Sequence, residues 1–157
     1  MRKRLIEKNL QATQSENMIW LELENLVEVE ITSEDAKHPI ESALLPGEGP
    51  GWRAAAPGKQ TIRLVFQKPQ QLRRIRLSFM ETAAERTQEY VLRWSPDGGL
   101  SFREIVRQQW NFSPEGSTSE IEDHQVDLEN VTILELTIIP EISGRTAVAS
   151  LAQLQLA

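Results

Sequence analysis

Apolar and polar residues alternate with a period of two along most of the chain after Met18. The runs that show this alternation cover residues 21–24, 27–31, 61–66, 72–79, 90–95, 131–139 and 151–156. Successive side chains of a β-strand point to opposite faces, so each run predicts a strand with one buried face. In the run 90–95, Tyr90, Leu92 and Trp94 share a face, which predicts that Trp94 belongs to the core.

The residues between these runs favour turns. Proline, glycine, serine and aspartate cluster at positions 46–47, 57–58, 95–99, 113–116 and 143–144, and Lys68-Pro69 also predicts a turn. Pro96-Asp97-Gly98 separates two strand-like runs and predicts a hairpin with a longer, glycine-containing loop. Residues 40–45 form a single short helical candidate. Short strands at this spacing predict one all-β domain, an antiparallel sandwich or barrel.

The length of 157 residues fits one domain, which we place at residues 18–157. Residues 1–17 are polar without clear periodicity and predict a loose arm or a short frayed helix. The basic start, Met1 to Arg4, is not followed by the apolar stretch of a signal peptide before Met18. No run approaches the roughly 18 apolar residues of a membrane-spanning helix. Because cysteine is also absent, we expect a soluble, cytoplasmic protein.

The charge balance is mildly acidic, with 17 Lys plus Arg against 23 Asp plus Glu and a net charge of −6. A nucleic-acid partner is not expected, because binding to phosphate relies on a basic surface. Arginines are concentrated on neighbouring predicted strands: Arg63, Arg73, Arg74, Arg76 and Arg93. We predict that they pair across strands with the outward residues Glu22, Glu24, Glu28 and Glu30. An anion-binding strip is the alternative interpretation.

The residues that usually carry catalysis are few. Cysteine is absent and the chain has two histidines, His38 and His124, with no spacing that would gather metal ligands. His124 follows Glu122 and Asp123 in what reads as an acidic turn, so we predict a solvated surface histidine. No serine lies in a G-x-S-x-G motif, and no glycine-rich loop resembles a phosphate-binding loop. We therefore predict that the protein is not an enzyme.

Several short motifs follow one another in a specific order from about Leu26 to the C-terminus. They are the segments 31–34, 51–55, 61–69, 72–77, 90–98 and 149–154, and they include Gly51-Trp52, Lys68-Pro69 and the Tyr90–Gly98 stretch. In this order they resemble the discoidin family, also called the coagulation-factor type C or galactose-binding-domain-like module. The resemblance implies an antiparallel jelly-roll β-sandwich of about eight strands, in which Trp52 packs under the sandwich.

Three positions depart from the members of this family that hold a structural calcium ion. Where those members place an acidic residue, a threonine and a glutamate, this chain has Leu45, Gly51 and Gln153. Calcium needs six to eight oxygen ligands, several of them carboxylates. The two cysteines that tie the ends of extracellular members are absent as well. The resemblance therefore implies an intracellular version without a metal site or another cofactor.

Members of this family bind terminal sugars, phospholipid membranes or other proteins through loops at one end of the sandwich. The loop Glu34–His38 has neither the large exposed apolar side chains nor the basic charge that membrane insertion needs. No membrane partner is therefore expected. The first hypothesis is a non-catalytic carbohydrate-binding module. The alternative is an intracellular protein-interaction or scaffold domain of the same fold, which would bind a protein ligand.

The resemblance brings three loops together at that end, namely residues 34–38, 80–88 and 108–120. Trp110 and Phe112 would supply flat apolar surfaces, with Arg86, Asn111, His38 and Glu34 as polar partners. A sugar needs an aromatic face for its C–H side and polar groups for its hydroxyls. We therefore predict a ligand site of Trp110, Arg86, Asn111, His38 and Glu34. The alternative is that Trp110 and Phe112 pack under the long loop.

Overall fold

Strands make up most of the described chain. The structure is a computed structural model and describes residues 19–47 and 49–157. The arm predicted for residues 1–17 lies outside the described residues. Eight strands are present in the described part: Val27–Ile31 (β1), Trp52–Arg53 (β2), Gln60–Met80 (β3), Arg86–Ser95 (β4), Arg103–Phe112 (β5), Ser119–Ile139 (β6), Ser150–Leu151 (β7) and Gln153–Leu156 (β8). The predicted antiparallel jelly-roll sandwich is confirmed.

The helices are short. One α-helix, Glu41–Leu44 (α1), occupies the segment predicted to be helical, and a 3₁₀ turn covers Leu23–Asn25. The alternation at residues 21–24 was therefore a wrong prediction of a strand. Among residues 19–47 and 49–157, no helix has the length and apolar character needed to cross a bilayer.

All strand pairs are antiparallel. The main sheet has the order β1-β3-β6-β4-β5, β8 pairs with β3, and β2 pairs with β7. β3 pairs first with β1 and the C-terminal half of β6, and then with β8 and the N-terminal half of β6. Both long strands thus contribute to the two layers of the sandwich. The hairpin predicted at Pro96-Asp97-Gly98 joins β4 to β5.

A bend in β3 replaces the turn predicted at Lys68-Pro69. The pairing of β3 with β6 shifts register three times between Val65 and Arg74, and the strand runs through these irregularities. Pro69 lacks a backbone N–H and fits a bulge, where that position donates no ladder hydrogen bond. On β6, Asn130 has a φ of 59°, a left-handed conformation that asparagine tolerates better than most residues. Residues 60–80 therefore form one bent strand, paired with β6, where the sequence predicts two strands joined by a turn.

The inward face of each strand forms the core, as the alternation predicts. Ile62 and Leu64 of β3 and Tyr90 and Leu92 of β4 are at most 1% exposed. Trp52 and Trp94 are both buried, and the indole N–H of Trp52 donates to the Ser33 carbonyl at 3.0 Å. The position of His124 differs from the predicted solvated surface histidine. It lies half-buried in β6, and its Nε2 is 2.8 Å from the Tyr90 hydroxyl.

Arginines on the sheet pair across strands, but with other acids than those predicted. Arg63 and Arg93 both bind the buried carboxylate of Glu135 on β6, at N–O distances of 2.7 and 2.5 Å. Arg74 pairs with Asp123 and Arg73 pairs with Asp127, also on β6. Within residues 19–47 and 49–157, no ion pair includes any of the predicted partners Glu22, Glu24, Glu28 and Glu30.

Candidate functional site

Loops at one end of the sandwich enclose a cavity of about 400 Å³. One wall is the connection between β3 and β4, residues 81–86. The opposite wall comes from Glu141 and residues 145–148, which follow β6, and Arg53 of β2 completes the lining. We call this space the loop-end cavity. Segments that are far apart in sequence meet there because β2, β3, β4 and β6 all end or begin at this side.

Glu81 organises the first wall. Its backbone N–H donates to the Thr118 carbonyl at 2.8 Å, which ties the loop to the segment between β5 and β6. One carboxylate oxygen accepts from Arg86 Nε at 2.9 Å, and the other accepts from the Ala83 N–H at 3.3 Å. The loop therefore closes on its own glutamate, and the glutamate is held against the start of β4.

Glu141 has the same role in the second wall. Its carboxylate accepts from the backbone N–H groups of Thr87 at 3.3 Å and Ser143 at 3.2 Å, and from Arg145 at 3.2 Å. Burial opposes ionisation of this group, but the hydrogen bonds from Ser143 and Thr87 and the charge of Arg145 outweigh it and lower the pKa of Glu141. The side chain is therefore a fixed anion that holds the loop.

The loop-end cavity is lined by equal numbers of arginines and glutamates. Arg86 pairs with Glu81 and Arg145 pairs with Glu141. Arg53 and Glu85 are exposed and take part in none of the ion pairs found among the described residues. Between the charges, the walls are lined by small apolar side chains of Ala83, Ala84, Ala147 and Val148. A neutral ligand with many hydroxyl groups matches this mixture of donors, acceptors and small apolar surfaces.

Arg86 is the one predicted site residue that lines the loop-end cavity. Its side chain is 2% exposed, and its Nη1 donates to the Pro140 carbonyl at 3.0 Å and to Gln88 Oε1 at 3.2 Å. The guanidinium carbon lies 4.8 Å from the centre of the Phe112 ring. Arg86 therefore joins β4, the 81–85 loop and the end of β6.

Trp110, Asn111 and Phe112 belong to β5, so the predicted loop 108–120 is shortened to the residues between Phe112 and Ser119. Phe112 is fully buried. Trp110 is half-buried opposite Gln88, and its indole N–H has no hydrogen-bond partner within the described structure. Asn111 is exposed on the other face of β5, where its side-chain oxygen accepts from the Thr87 hydroxyl at 2.9 Å.

Glu34 and His38 lie in the loop before α1. A carboxylate oxygen of Glu34 accepts from the Ile40 N–H at 2.9 Å, which supports the start of α1. His38 Nδ1 is 3.8 Å from Asp35, and the His38 carbonyl accepts from the Arg53 N–H at 3.2 Å. The loop therefore touches the backbone of Arg53, but neither side chain lines the loop-end cavity.

The cavity residues that the sequence analysis did not name are Arg53, Glu81, Glu85, Glu141 and Arg145, although Glu81 and Glu85 lie in the predicted site loop 80–88. One signal was available, because the turn Ser143-Gly144 is flanked by Glu141 and Arg145. Oppositely charged residues on both sides of a glycine turn indicate a loop held by its own ion pair. That signal does not reveal that the 81–86 loop lies opposite.

The backbone at Gly51 has no room for a side chain. Its φ is 78°, and an added Cβ would lie 2.7 Å from the Leu151 carbonyl oxygen and 2.9 Å from Ala152 Cα. The threonine ligand of calcium-binding discoidin members could not occupy this position. Leu45 and Gln153, the other two departures, supply no carboxylate. In the described part of the chain no group of three or more His, Asp and Glu residues could hold a metal ion.

No protein-family model and no curated protein matches the sequence. Solved structures do match the fold. The family 32 carbohydrate-binding module of Clostridium perfringens NanJ, solved with galactose, is 16% identical, with a TM-score of 0.63 over 87% of this chain and 96% of that chain. This similarity in backbone structure assigns the chain to a known fold. The chain has the galactose-binding-like sandwich fold.

Two further structures share the galactose-binding-like fold with this chain. A second family 32 module from Clostridium perfringens, solved with GalNAc-β-1,3-galactose, is 19% identical, with a TM-score of 0.65 over 88% of this chain and 99% of that chain. The C-terminal domain of a chitobiase from Bacteroides fragilis is 16% identical, with a TM-score of 0.61 over 88% and 97%. At these identities the likeness establishes the fold.

Proposed function

We propose that this protein is a non-catalytic carbohydrate-binding module whose ligand enters the loop-end cavity. The observation that carries the proposal is the cavity's composition, in which paired and free charged groups alternate with small apolar side chains. Sugar hydroxyls need donors and acceptors together, and the sugar's C–H groups need apolar contact. The likeness to modules solved with galactose and with GalNAc-β-1,3-galactose supports this ligand class.

The carboxylates of the cavity support a binding role over hydrolysis. A glycosidase needs two facing carboxylic groups, one of which is protonated at working pH. Of the three cavity carboxylates, Glu81 is held by Arg86, and Glu141 is held by Arg145 and two backbone N–H groups. Both are committed to loop structure, and among the described residues Glu85 alone remains without an ion pair in the cavity, where hydrolysis needs two carboxyl groups. The lowered pKa of Glu141 also makes that group a poor proton donor.

The sequence motifs support a more specific family assignment within this fold. We propose a discoidin-type member of the galactose-binding-like fold that acts in the cytoplasm, which the absence of cysteine supports. Arg86 would position the cavity wall. Trp110, Asn111, His38 and Glu34 are kept as a second set of ligand-binding candidates, to be substituted in the same binding assay.

The test is a glycan-array screen of the full chain, followed by calorimetric titration of the best glycan and of free galactose. We expect Arg53→Ala to weaken binding by about tenfold or more, because its guanidinium is free to contact hydroxyls. Arg73→Ala is the matched control, since Arg73 is an exposed arginine whose ion pair with Asp127 lies outside the loop-end cavity. Equal affinities for both variants would place the ligand elsewhere, and a screen without any binding glycan would contradict the proposal.

One observation favours the second hypothesis, a protein-interaction domain. A groove lined by aliphatic residues and glutamates runs beside β1, away from the loop-end cavity. Aliphatic side chains and glutamates make up its lining, with no cation in the described part of the chain. This composition suits a protein segment that carries both apolar and basic side chains.

A further inference from the structure

A groove of about 420 Å³ opens between the edge strand β1 and helix α1. Its floor is formed by the inward side chains of Val27, Val29 and Ile31, with Ile40 and Leu44 opposite. These three β1 side chains are only partly buried, whereas the inward residues Ile62 and Leu64 on the adjacent strand are each 1% exposed. The sandwich is therefore open along the inner side of β1. We call this space the β1 groove.

The backbone of β1 is unpaired on the side that faces away from β3. Among the described strands, β1 pairs with β3 alone. The Gln67 N–H donates to the Leu26 carbonyl and the Thr32 N–H donates to the Thr61 carbonyl, so the even-numbered residues bond to β3. Because alternate residues of an edge strand point their N–H and C=O groups outward, those of Val27, Val29 and Ile31 are available to another strand.

Negative charge lies both in the lining of the β1 groove and on the outer face of β1. Glu24, Glu34 and Glu41 are part of its lining, which contains no cationic side chain in the part of the chain that the structure describes. Glu28 and Glu30 point to the outer face of β1 and are exposed. Arg63, opposite Glu30 on β3, binds Glu135 instead. The glutamates of β1 are therefore left without a cross-strand cation in the described structure.

We propose that β1 accepts an added strand from a partner protein, an extended segment in which apolar residues alternate with lysine or arginine. Outward backbone groups of β1 would hydrogen-bond to the segment, as in other cases of strand addition. The segment's apolar side chains would fill the β1 groove beside Val27, Val29 and Ile31. Its cationic side chains would then lie opposite Glu28 and Glu30, where opposite charges on neighbouring strands attract.

The same charges disfavour a second copy of this chain as the occupant. Antiparallel pairing of β1 with β1 would place Glu28 and Glu30 of one copy beside those of the other. Like charges directly across a strand pair are destabilising. A basic segment avoids that repulsion and adds an attraction that salt weakens.

The test uses fluorescence anisotropy with a labelled peptide of alternating valine and lysine as the probe. The full chain should bind this peptide and should not bind the matching peptide of valine and glutamate. Charge reversal by Glu28→Lys with Glu30→Lys should weaken binding of the basic peptide by about tenfold or more and should create binding of the acidic one. Both positions are exposed, so the variant keeps its core.

The control variant is Glu115→Lys with Glu129→Lys, which changes the net charge equally at two exposed positions outside the groove. It should keep the affinity of the parent. Equal weakening in both variants would show that net charge alone attracts the peptide, and this would overturn the proposal. Failure of the parent to bind the basic peptide would overturn it as well.

Amide hydrogen exchange gives a second readout at the strand itself. Bound peptide should slow exchange at Val29 and Ile31, and slowing confined to other strands would overturn the proposal. Two outcomes would assign the β1 groove to another occupant and so contradict the proposal that a segment of a partner protein binds there. One is tighter peptide binding after deletion of residues 1–17, and the other is a dimer in sedimentation equilibrium that the peptide dissociates.

Discussion

Glu120 is a carboxylate buried inside the sandwich near the loop-end side. Its side chain is 2% exposed. Gln88 Nε2 is 3.4 Å from one carboxylate oxygen, and the other oxygen has no hydrogen-bond partner within the described residues. Burial, and then the negative charge of Glu122, raise the pKa of Glu120 to about 7. Below a pH of about 7 the carboxyl of Glu120 is therefore mostly protonated in the folded protein.

This raised pKa makes stability depend on pH in a defined direction. Between the ordinary value of 4.5 and about 7, the folded state holds a proton that the unfolded state has lost. The contribution of Glu120 to stability therefore falls as the pH rises through this window. We expect Glu120→Gln, which removes the charge and keeps the shape, to gain melting temperature relative to the parent as the pH is raised from 5 to 8.

The control for Glu120→Gln is Glu115→Gln, an exposed glutamate that is not among the charges acting on Glu120. Thermal melts of all three proteins across the same pH series provide the comparison. A constant difference between Glu120→Gln and the parent at every pH would contradict the buried, protonated state of Glu120.

At the scale of elements, the bend in the β3–β6 ribbon sets the architecture. The alternation in the sequence identifies the inward residues on both sides of the bend, and Pro69 reads as a turn because proline usually interrupts a ladder. What the sequence does not show is that β6 bends beside it, so that the ribbon continues from one layer to the other. Register across a bend depends on the partner strand, which a local pattern does not contain.

Asn130 is the residue whose backbone marks this bend on β6. It is exposed, makes no side-chain hydrogen bond in the described structure, and has a φ of 59°. A β-branched side chain in that conformation costs about 1–2 kcal/mol. We expect Asn130→Val to lower the free energy of unfolding by that amount in urea denaturation, and Asn130→Gly to leave it near the parent value.

Glu129→Val is the matched control for Asn130→Val, because Glu129 is the exposed neighbour and its φ is not positive. If Asn130→Val and Glu129→Val unfold at the same urea concentration, the left-handed backbone at Asn130 is not a constraint on the fold.

At the scale of the whole molecule, the fold was more predictable than the site. Strand positions follow from alternation, and the order of motifs indicated the family of folds. The loop-end cavity joins Arg53, Glu81 and Arg145, which lie on strand β2 and on two separate connections. Phe112 shows the same limit: it continues the alternation of β5 and is buried with it, as in the packing alternative. Site prediction needed the distances between loops, which only packing determines.

We expect calcium to leave the melting temperature unchanged. The positions that resemble the family's calcium ligands are Leu45, Gly51 and Gln153, and the backbone at Gly51 excludes a side chain. An ion that binds the folded state and not the unfolded state raises the free energy of unfolding, and therefore the melting temperature. Differential scanning fluorimetry with millimolar calcium and with chelator measures this effect. A rise of several degrees that chelator reverses would show that other oxygens form a site.

The central claim is that a carbohydrate binds in the loop-end cavity. Nuclear magnetic resonance titration of the ¹⁵N-labelled chain with the glycan selected by the array tests it most directly, since every backbone amide reports separately. We expect saturable shifts to concentrate at Arg53, residues 81–86 and residues 141–148, while Val27, Val29 and Ile31 stay unchanged. Shifts centred on Trp110 and Asn111 of β5, or on β1, with the cavity residues unmoved, would contradict it.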